Sequence, residues 1–298
     1  MHLQALPAFL DNYIWLLSAD GGRALVVDPG DAGPVLAAAE HGLTPSAVLL
    51  THHHNDHIGG TTALLQRWPD LPVIAPHDDR IATATRRVGD GDRVELEGWQ
   101  LHVIGLPGHT LSHVAFYLPD AVPPDAGRPD VGQSGLGRVN DDPDTDTDGA
   151  GAGGDRMPVT HAAGLLFCGD TLFSLGCGRL FEGSAAQMVA SLARLASLPG
   201  DTRICCGHEY TLSNAAFARV VEPDNPALRR RTEQAHAMRD TGRPTLPSTL
   251  ASELACNPFL RCDQPSIQAA VTRRLGRAPR DGVETFAELR RWKDGFRA

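Results

Sequence analysis

Thr51 His52 His53 His54 Asn55 Asp56 His57 follows directly on the apolar run Ala47 Val48 Leu49 Leu50. The run is short and unbroken, which predicts a buried strand, and Gly59 Gly60 end regular structure just beyond the cluster. The histidines therefore fall at the carboxyl end of a strand, where α/β sheets carry their sites. Side chains alternate with a period of two in an extended or turning segment, so His52 and His54 are expected on one side and able to grip one ion. Asp56 and His57 lie past the bend and can address a second ion, at a two-metal spacing of about 3.5–4 Å. His53 and Asn55 face away from the first pair and are expected to support it or meet solvent. A lone histidine at a strand end is ordinarily a satisfied surface residue. Four histidines and a carboxylate within six positions point to metal instead.

The chain has 298 residues, enough for one large domain with an appendage or for two domains. Hydrophobic residues make up 42% and charged residues 21%, ordinary for a soluble globular protein. No apolar run approaches the ~20 residues of a membrane span. The start, Met1 to Pro7, lacks the basic region and apolar core of a signal peptide, so a cytoplasmic location is expected. The six cysteines show no Cys-x-x-Cys pairing, and reduced thiols are the simplest reading. A net charge of -9 argues against a nucleic-acid surface. Between Asp120 and Arg156 nine aspartates oppose three arginines, which places -6 of that charge in one segment. Residues 121–160 hold almost no bulky apolar side chains and are expected to form a disordered acidic insertion. Alternation of Asp142, Asp144, Asp146 and Asp148 suggests a calcium loop, but the glycine and terminal glutamate of such a loop are missing.

Around the cluster the chain alternates strand and helix. Tyr13 to Leu17 and Ala24 to Val27 read as strands joined by a turn at Asp20 Gly21 Gly22. Helices are expected at Gly33 to His41 and Thr61 to Trp68, with a strand at Val73 to Ala75. Asp28, at a strand end, either holds a ligand histidine in its tautomer or forms the turn before Pro29 Gly30. Then Asp92 to Leu96, Gln100 to Ile104 and Val114 to Leu118 predict a second, mostly antiparallel sheet. His109, on the Gly-Pro turn between the last two, is the third nitrogen for the first ion; His113 is assigned a structural or supporting role. Leu165 to Cys168 is a strand ending in Gly169 Asp170, and a carboxylate there can bridge two cations through its two oxygens. Ser184 to Ser197 reads as a helix, Thr202 to Cys206 as the last strand, and Gly207 His208 brings another strand-end histidine. Beyond Tyr210 capping signals at Asn225 Pro226 and Ser248 or Thr249, with helices at Ser266 to Leu275 and Val283 to Asp294, predict a small helical domain beside the metal face.

Thr51 to His57 resembles the T-H-x-H-x-D-H signature of the metallo-β-lactamase superfamily, and Gly108 His109, Gly169 Asp170 and Gly207 His208 follow in that superfamily's order. Within it the chain is similar, from end to end outside 121–160, to the glyoxalase II family of hydroxyacylglutathione hydrolases. The similarity is carried by Leu6 to Phe9 with Asp11 to Tyr13, Gly169 to Gly183, Cys206 to Thr211, Asn257 to Arg261, and Arg290 to Phe296. The resemblance implies an α/β fold, an αββα sandwich over 1–209 with a binuclear site at one edge, and a helical substrate-binding domain over 210–298. It implies His52, His54 and His109 on a first divalent metal, Asp56, His57 and His208 on a second, and Asp170 on both, with zinc favoured over iron or manganese. It further implies glutathione contacts at Arg179, Phe181, Tyr210, Arg290 and Lys293. Many members carry lysine and tyrosine where Arg179 and Phe181 stand, so a hydroxyl contact is lost at Phe181. Independently, Arg290 and Lys293 lie three apart on a helix whose Phe286 and Leu289 turn inward, which suits a clamp for a carboxylate. Without the family, a solvated basic helix face is the plainer reading.

The expected activity is hydrolysis of S-D-lactoylglutathione, or another S-(2-hydroxyacyl)glutathione, to glutathione and the hydroxy acid, the second step of methylglyoxal detoxification. Asp56 and Asp170 would help hold the hydroxide nucleophile's metals. The leaving thiolate, with a pKa of about 8.5, needs little acid assistance. A monomer is expected, with no nucleic-acid or membrane partner. A one-iron glutathione-linked oxygenase is disfavoured by the intact set Asp56, His57 and His208, and a nuclease by the acidic charge. A non-catalytic metal- or glutathione-binding protein would be favoured by a missing ligand, and none is missing.

Overall fold

A computed structural model describes residues 1–19, 22–119, 157–158 and 163–297. The expected turn at Asp20 Gly21, the acidic insertion apart from 157–158, and the aspartate alternation at 142–148 lie outside the described residues.

The amino-terminal half builds one sheet from β1 (His2–Ala8), β2 (Asn12–Ser18), β3 (Arg23–Val27), β4 (Thr44–Leu49), β5 (Val73–Pro76) and β6 (Arg86–Val88). Strands β1 to β3 pair antiparallel, and β3 to β6 pair parallel. Parallel neighbours need a crossover, supplied by α1 (Gly33–Glu40) and then by α2 (Asn55–Ile58) with α3 (Thr61–Arg67). A second sheet begins with β7 (Arg93–Leu96), β8 (Trp99–Gly105) and β9 (Val114–Leu118), antiparallel throughout. After β9 the chain returns to the edge of the first sheet as β10 (Met157–Pro158), paired with β1.

It then re-enters the second sheet as β11 (Leu165–Gly169), forms a hairpin of β12 (Leu172–Phe173) and β13 (Gly176–Cys177), and crosses through α4 (Ala185–Ala196) to β14 (Arg203–Cys206), parallel to β11. A reciprocal capping box between Ser184 and Gln187 fixes the start of α4. The remaining chain is α5 (Thr211–Val221), α6 (Pro226–Asp240), β15 (Ser248–Thr249), α7 (Leu250–Cys256), a 3-10 turn at Pro258–Leu260, α8 (Pro265–Leu275) and α9 (Gly282–Asp294).

Period-two alternation decides the layers. Trp15 and Leu17 of β2 turn into the core between the sheets with Phe116 and Phe167, while Ile14 and Leu16 turn outward onto Val35 of α1 and Leu64 of α3. Every residue of β2 is buried, as an interior strand of a sheet covered on both faces must be. On the other side Met188, Leu192 and Leu195 seat α4 against the second sheet's core. The result is helix, sheet, sheet, helix. The C-terminal helices are continuous with this core: Phe217, Phe259, Phe286 and Leu289 belong to the same buried cluster, and β15 adds a strand to the second sheet beside β14.

Asn225 and Thr249 cap α6 and α7 as expected, each side chain accepting backbone N–H groups. The metal motif differs from the expected loop: Asp56 and His57 lie on the single helical turn α2, which follows extended His54 (φ -62°, ψ 142°). All six cysteines are free. Among the described residues no helix is long and apolar enough to cross a membrane.

A candidate binuclear metal centre and its cleft

Asp28 and Thr51, at the ends of adjacent strands, organise the metal loop. Asp28 takes a left-handed backbone (φ 52°) that turns its carboxylate across the sheet end. Its Oδ1 accepts the Thr51 N–H at 2.8 Å, its Oδ2 accepts the Thr51 hydroxyl at 2.7 Å, and Oδ2 lies 3.0 Å from His57 Nδ1. The tautomer-holding alternative for Asp28 is thus realised. Two glycines make room for this crowding. A Cβ on Gly169 would sit 2.3 Å from Thr51 Oγ1, and one on Gly207 would sit 2.7 Å from Asp170 Oδ1.

Two donor sets result. His54 Nδ1 is 3.0 Å from His52 Nε2 and 3.0 Å from His109 Nε2. The second set gathers Asp56, His57 and His208, with His208 Nε2 3.4 Å from Asp56 Oδ2 and His57 Nε2 3.7 Å from it. Asp170 stands between them. Its Oδ1 is 3.3 Å from His57 Nε2 and 3.4 Å from His208 Nε2, while its Oδ2 is 3.5 Å from His109 Nε2.

Hydrogen bonds on the far side of each ring set which nitrogen keeps its lone pair. Because the Thr51 hydroxyl donates to Asp28, His52 Nδ1–H donates to Thr51 Oγ1 at 3.0 Å. His57 Nδ1–H faces Asp28, His109 Nδ1–H donates to the Arg179 carbonyl at 2.9 Å, and His208 Nδ1–H faces Asp11 Oδ1 at 2.9 Å. Four rings therefore present Nε2, and His54 alone presents Nδ1. Asn12 donates to Asp56 Oδ2 at 3.2 Å and orients that carboxylate. His113 accepts the Asp170 N–H and stacks on His52 at 4.8 Å, the supporting place expected of it. His53 turns away toward Asp78 and Glu182.

The cluster is electrically divided. Burial, then neighbouring histidines, holds His52 well below the usual imidazole range and His54 at about 4. Burial also opposes charge on His57 and His208, but the Asp170 carboxylate overrides it, raising His57 and lifting His208 to about 10. Burial would push Asp170 up, yet His57 and His208 hold it well below the carboxylate range. His57 Nε2 and Asp170 Oδ1 are buried and lack a hydrogen-bond partner among the described residues, their 3.3 Å approach having poor geometry. Buried polar atoms in native proteins find partners, and two sets of lone pairs joined by a carboxylate fit two divalent cations.

A cleft of about 680 Å³ opens over this floor, and all five sequence-predicted substrate residues line it. Tyr210 stacks on His208 at 4.7 Å, and Phe181, 63% exposed, presents its ring to His54 and His109. Arg179 is exposed and sits 3.7 Å from Asp294. The plainer reading of Arg290 as part of a solvated helix face is corrected: it is 5% exposed, donates to the Cys177 carbonyl at 2.8 Å and to Asp294, and covers the Phe259 ring. Lys293 donates to the Ser213 carbonyl and hydroxyl at 3.1 and 3.2 Å, and burial, then Arg290 and Arg179, brings its ammonium down to about 8. Sequence reasoning missed Asp11, Asn12 and Asp294 as site residues. Asp11 and Asn12 stand in a stretch that carries the family resemblance but offers no local sign of a contact to the donor sets, and their partner His208 is 197 and 196 residues away.

Residues 8–208 match the model of the metallo-beta-lactamase superfamily, and residues 209–296 match that of the hydroxyacylglutathione hydrolase C-terminus. A protein of Xanthomonas axonopodis pv. citri named hydroxyacylglutathione hydrolase is 54% identical over the full length of both chains. Proteins of the same name from Xylella fastidiosa and Stenotrophomonas maltophilia are 52% and 50% identical, the former across 99% of this chain and 98% of its own, the latter across all of both. Among solved structures, the BLEG-1 B3 metallo-beta-lactamase superposes with a TM-score of 0.56 at 20% identity, covering 87% of this chain and 99% of its own. ETHE1 from Myxococcus xanthus gives 0.55 at 21% identity, covering 99% of this chain and all of its own; both likenesses bear on the fold. With the αββα sandwich, the strand-end donor sets and the C-terminal helices all accounted for, the chain belongs to the hydroxyacylglutathione hydrolase family of the metallo-β-lactamase superfamily.

Proposed function

We propose that the chain hydrolyses S-(2-hydroxyacyl)glutathione, with S-D-lactoylglutathione as the principal substrate, to glutathione and D-lactate, and that it does so in methylglyoxal detoxification. The observation that carries this reading is the single cleft in which the Asp170-bridged donor sets form the floor and Arg179, Arg290 and Lys293 the cationic wall. His52, His54, His109 and Asp170 would hold one divalent cation, and Asp56, His57, His208 and Asp170 the other, with zinc ahead of iron or manganese for a histidine-rich donor set. When bound, such cations polarise a carbonyl and bring the pKa of water near neutrality.

The chain's own residues do the rest. Asp28, Thr51, Asp11 and the Arg179 carbonyl hold the ring tautomers, so no reorganisation is needed during the reaction. The cations of the wall bind the peptide carboxylates of glutathione, far from the bond that breaks, and Tyr210 and Phe181 flank the thioester. The glutathione thiolate is a good leaving group, which is why no side chain need stand ready as an acid. We assign 1–209 to catalysis and 210–298 to substrate binding, in a monomeric cytoplasmic enzyme. The test is turnover of S-D-lactoylglutathione by purified protein with metal content measured on the same sample. Turnover at close to two metals per chain supports the reading; two bound metals without turnover overturn it.

A further inference from the structure

We propose that Glu182, held by Arg80 and Asp78, is a positioning residue that locks the substrate wall carrying Arg179 and Phe181 onto the loop carrying His109; the proposal rests on the thioesterase reading above.

The two segments meet backbone to backbone. Phe181 N–H and Glu182 N–H donate to the His109 carbonyl at 3.2 and 3.3 Å, and Gly183 N–H donates to the Gly108 carbonyl at 3.1 Å. A Cβ on Gly183 would lie 2.6 Å from Gly108 Cα, so no side chain separates them. The contact is short, three main-chain bonds to two carbonyls beside the bond of the His109 ring to the Arg179 carbonyl, and further fixing holds its register. Side chains supply that fixing from outside. Glu182 Oε2 accepts the Leu111 N–H at 2.8 Å, and Asp78 Oδ2 accepts the hydroxyl of Ser112. Arg80 joins the two carboxylates, paired with Asp78 at 2.8 Å through both Nε and Nη2 and with Glu182 through Nη1. Arg80, with Ser112 and the Leu111 N–H, keeps both acids ionised and therefore accepting.

Asp78 is anchored in turn, because Arg87 donates to its carbonyl and Arg87 belongs to β6 of the first sheet. The cluster thus ties an edge of the first sheet to two loops above the second. His53 completes it, 3.4 Å from Asp78 Oδ2 and with its ring 4.8 Å from His54. An exposed ion pair by itself contributes little, and Arg80 is half exposed. Here the same carboxylate also accepts a main-chain N–H of the His109 loop, so its loss frees Phe181 from His54 and His109 as well.

Three variants separate positioning from general support. Glu182→Ala and Arg80→Ala are each expected to raise KM for S-D-lactoylglutathione about 5–10-fold, with kcat within about twofold and two metals retained, the size of one charge-assisted contact. Glu182→Gln, which keeps an acceptor for Leu111, is expected to recover most of that loss. Amide hydrogen exchange at Leu111, Phe181 and Glu182 should quicken in Glu182→Ala. A KM within twofold of wild type with unchanged exchange overturns the proposal, and so does a loss of metal in parallel with kcat. If the wild type fails to turn over the thioester, the functional reading falls and exchange alone decides: faster exchange at these three amides upholds the lock, and unchanged exchange overturns it.

Discussion

The carbonyl of Arg179 accepts the Nδ1–H of His109 at 2.9 Å, so a residue whose side chain faces the cleft also sets the tautomer of a ring in the first donor set through its backbone. One segment of chain therefore both faces the cleft and fixes a ring of the donor sets. The same economy recurs at Asp11 and Asn12, neighbours in a hairpin that serve His208 and Asp56 respectively.

Asp28 is an outer partner that joins Thr51 to His57. Replacing it with asparagine keeps the shape but removes the charge beside His57 Nδ1 and one acceptor for Thr51. Outer partners of this kind change metal affinity by about 10–100-fold, and Asp28→Asn is expected to weaken the second site within that range while leaving the fold intact. Competition of the variant against a chelator of known affinity measures it. Affinity equal to wild type would remove Asp28 from the metal centre.

Among the described residues Asp170 is the only carboxylate that reaches both donor sets. Asp170→Asn replaces one oxygen by an N–H donor that cannot ligate, so metal content and kcat are expected to fall together, kcat by more than about 100-fold if transition-state stabilisation is lost. Metal analysis and turnover on one preparation check this. Two retained metals with full activity would rule out the bridge.

Metal uptake should release protons. In the metal-free protein His57 is raised well above the ordinary imidazole pKa and His208 to about 10, so both rings carry two protons at pH 7. His52, His54 and His109 are lowered and are already neutral there. Ligation requires a free lone pair, so loading at pH 7 should expel about two protons, both from the second set, and affinity should fall as the solution is acidified. Calorimetric titration of zinc into stripped protein, in two buffers of different ionisation enthalpy, counts them. Release of fewer than one would mean that Asp170 does not hold those protons.

The strand-end positions of His52 to His57, His109, Asp170 and His208 were legible because each follows an apolar run that stops at a glycine or a turn, a local pattern. The grouping of His52 with His54 was legible through alternation, since the chain enters His54 extended, but the geometry of Asp56 and His57 was not, since those two lie on a helical turn. Arg290 shows the limit most clearly. Helical spacing placed it beside Phe286 and Leu289, yet its burial depends on Asp294 one turn on and on the Cys177 carbonyl 113 residues earlier, a contact that only the closed fold creates.

Lys293 is the one lysine in a chain whose other 26 basic residues are all arginine. Arginine stays charged at every accessible pH and needs room for a planar fork; an ammonium is compact and can lose its proton. The Lys293 site suits the ammonium, which bonds twice to Ser213 and lies between the Phe217 and Phe296 rings at 5.7 and 5.8 Å. Its pKa is depressed to about 8, so the charge is present below that pH and is lost as pH rises through it. KM for the glutathione thioester is therefore expected to be flat below pH 7.5 and to climb by about tenfold toward pH 9.5, the worth of one charge-assisted contact. Lys293→Arg should abolish that climb and start from a higher KM, because the guanidinium cannot reproduce both bonds to Ser213. Michaelis constants across this pH range for the two proteins decide the matter: a wild-type KM that does not change through pH 8 would show that Lys293 binds no substrate charge.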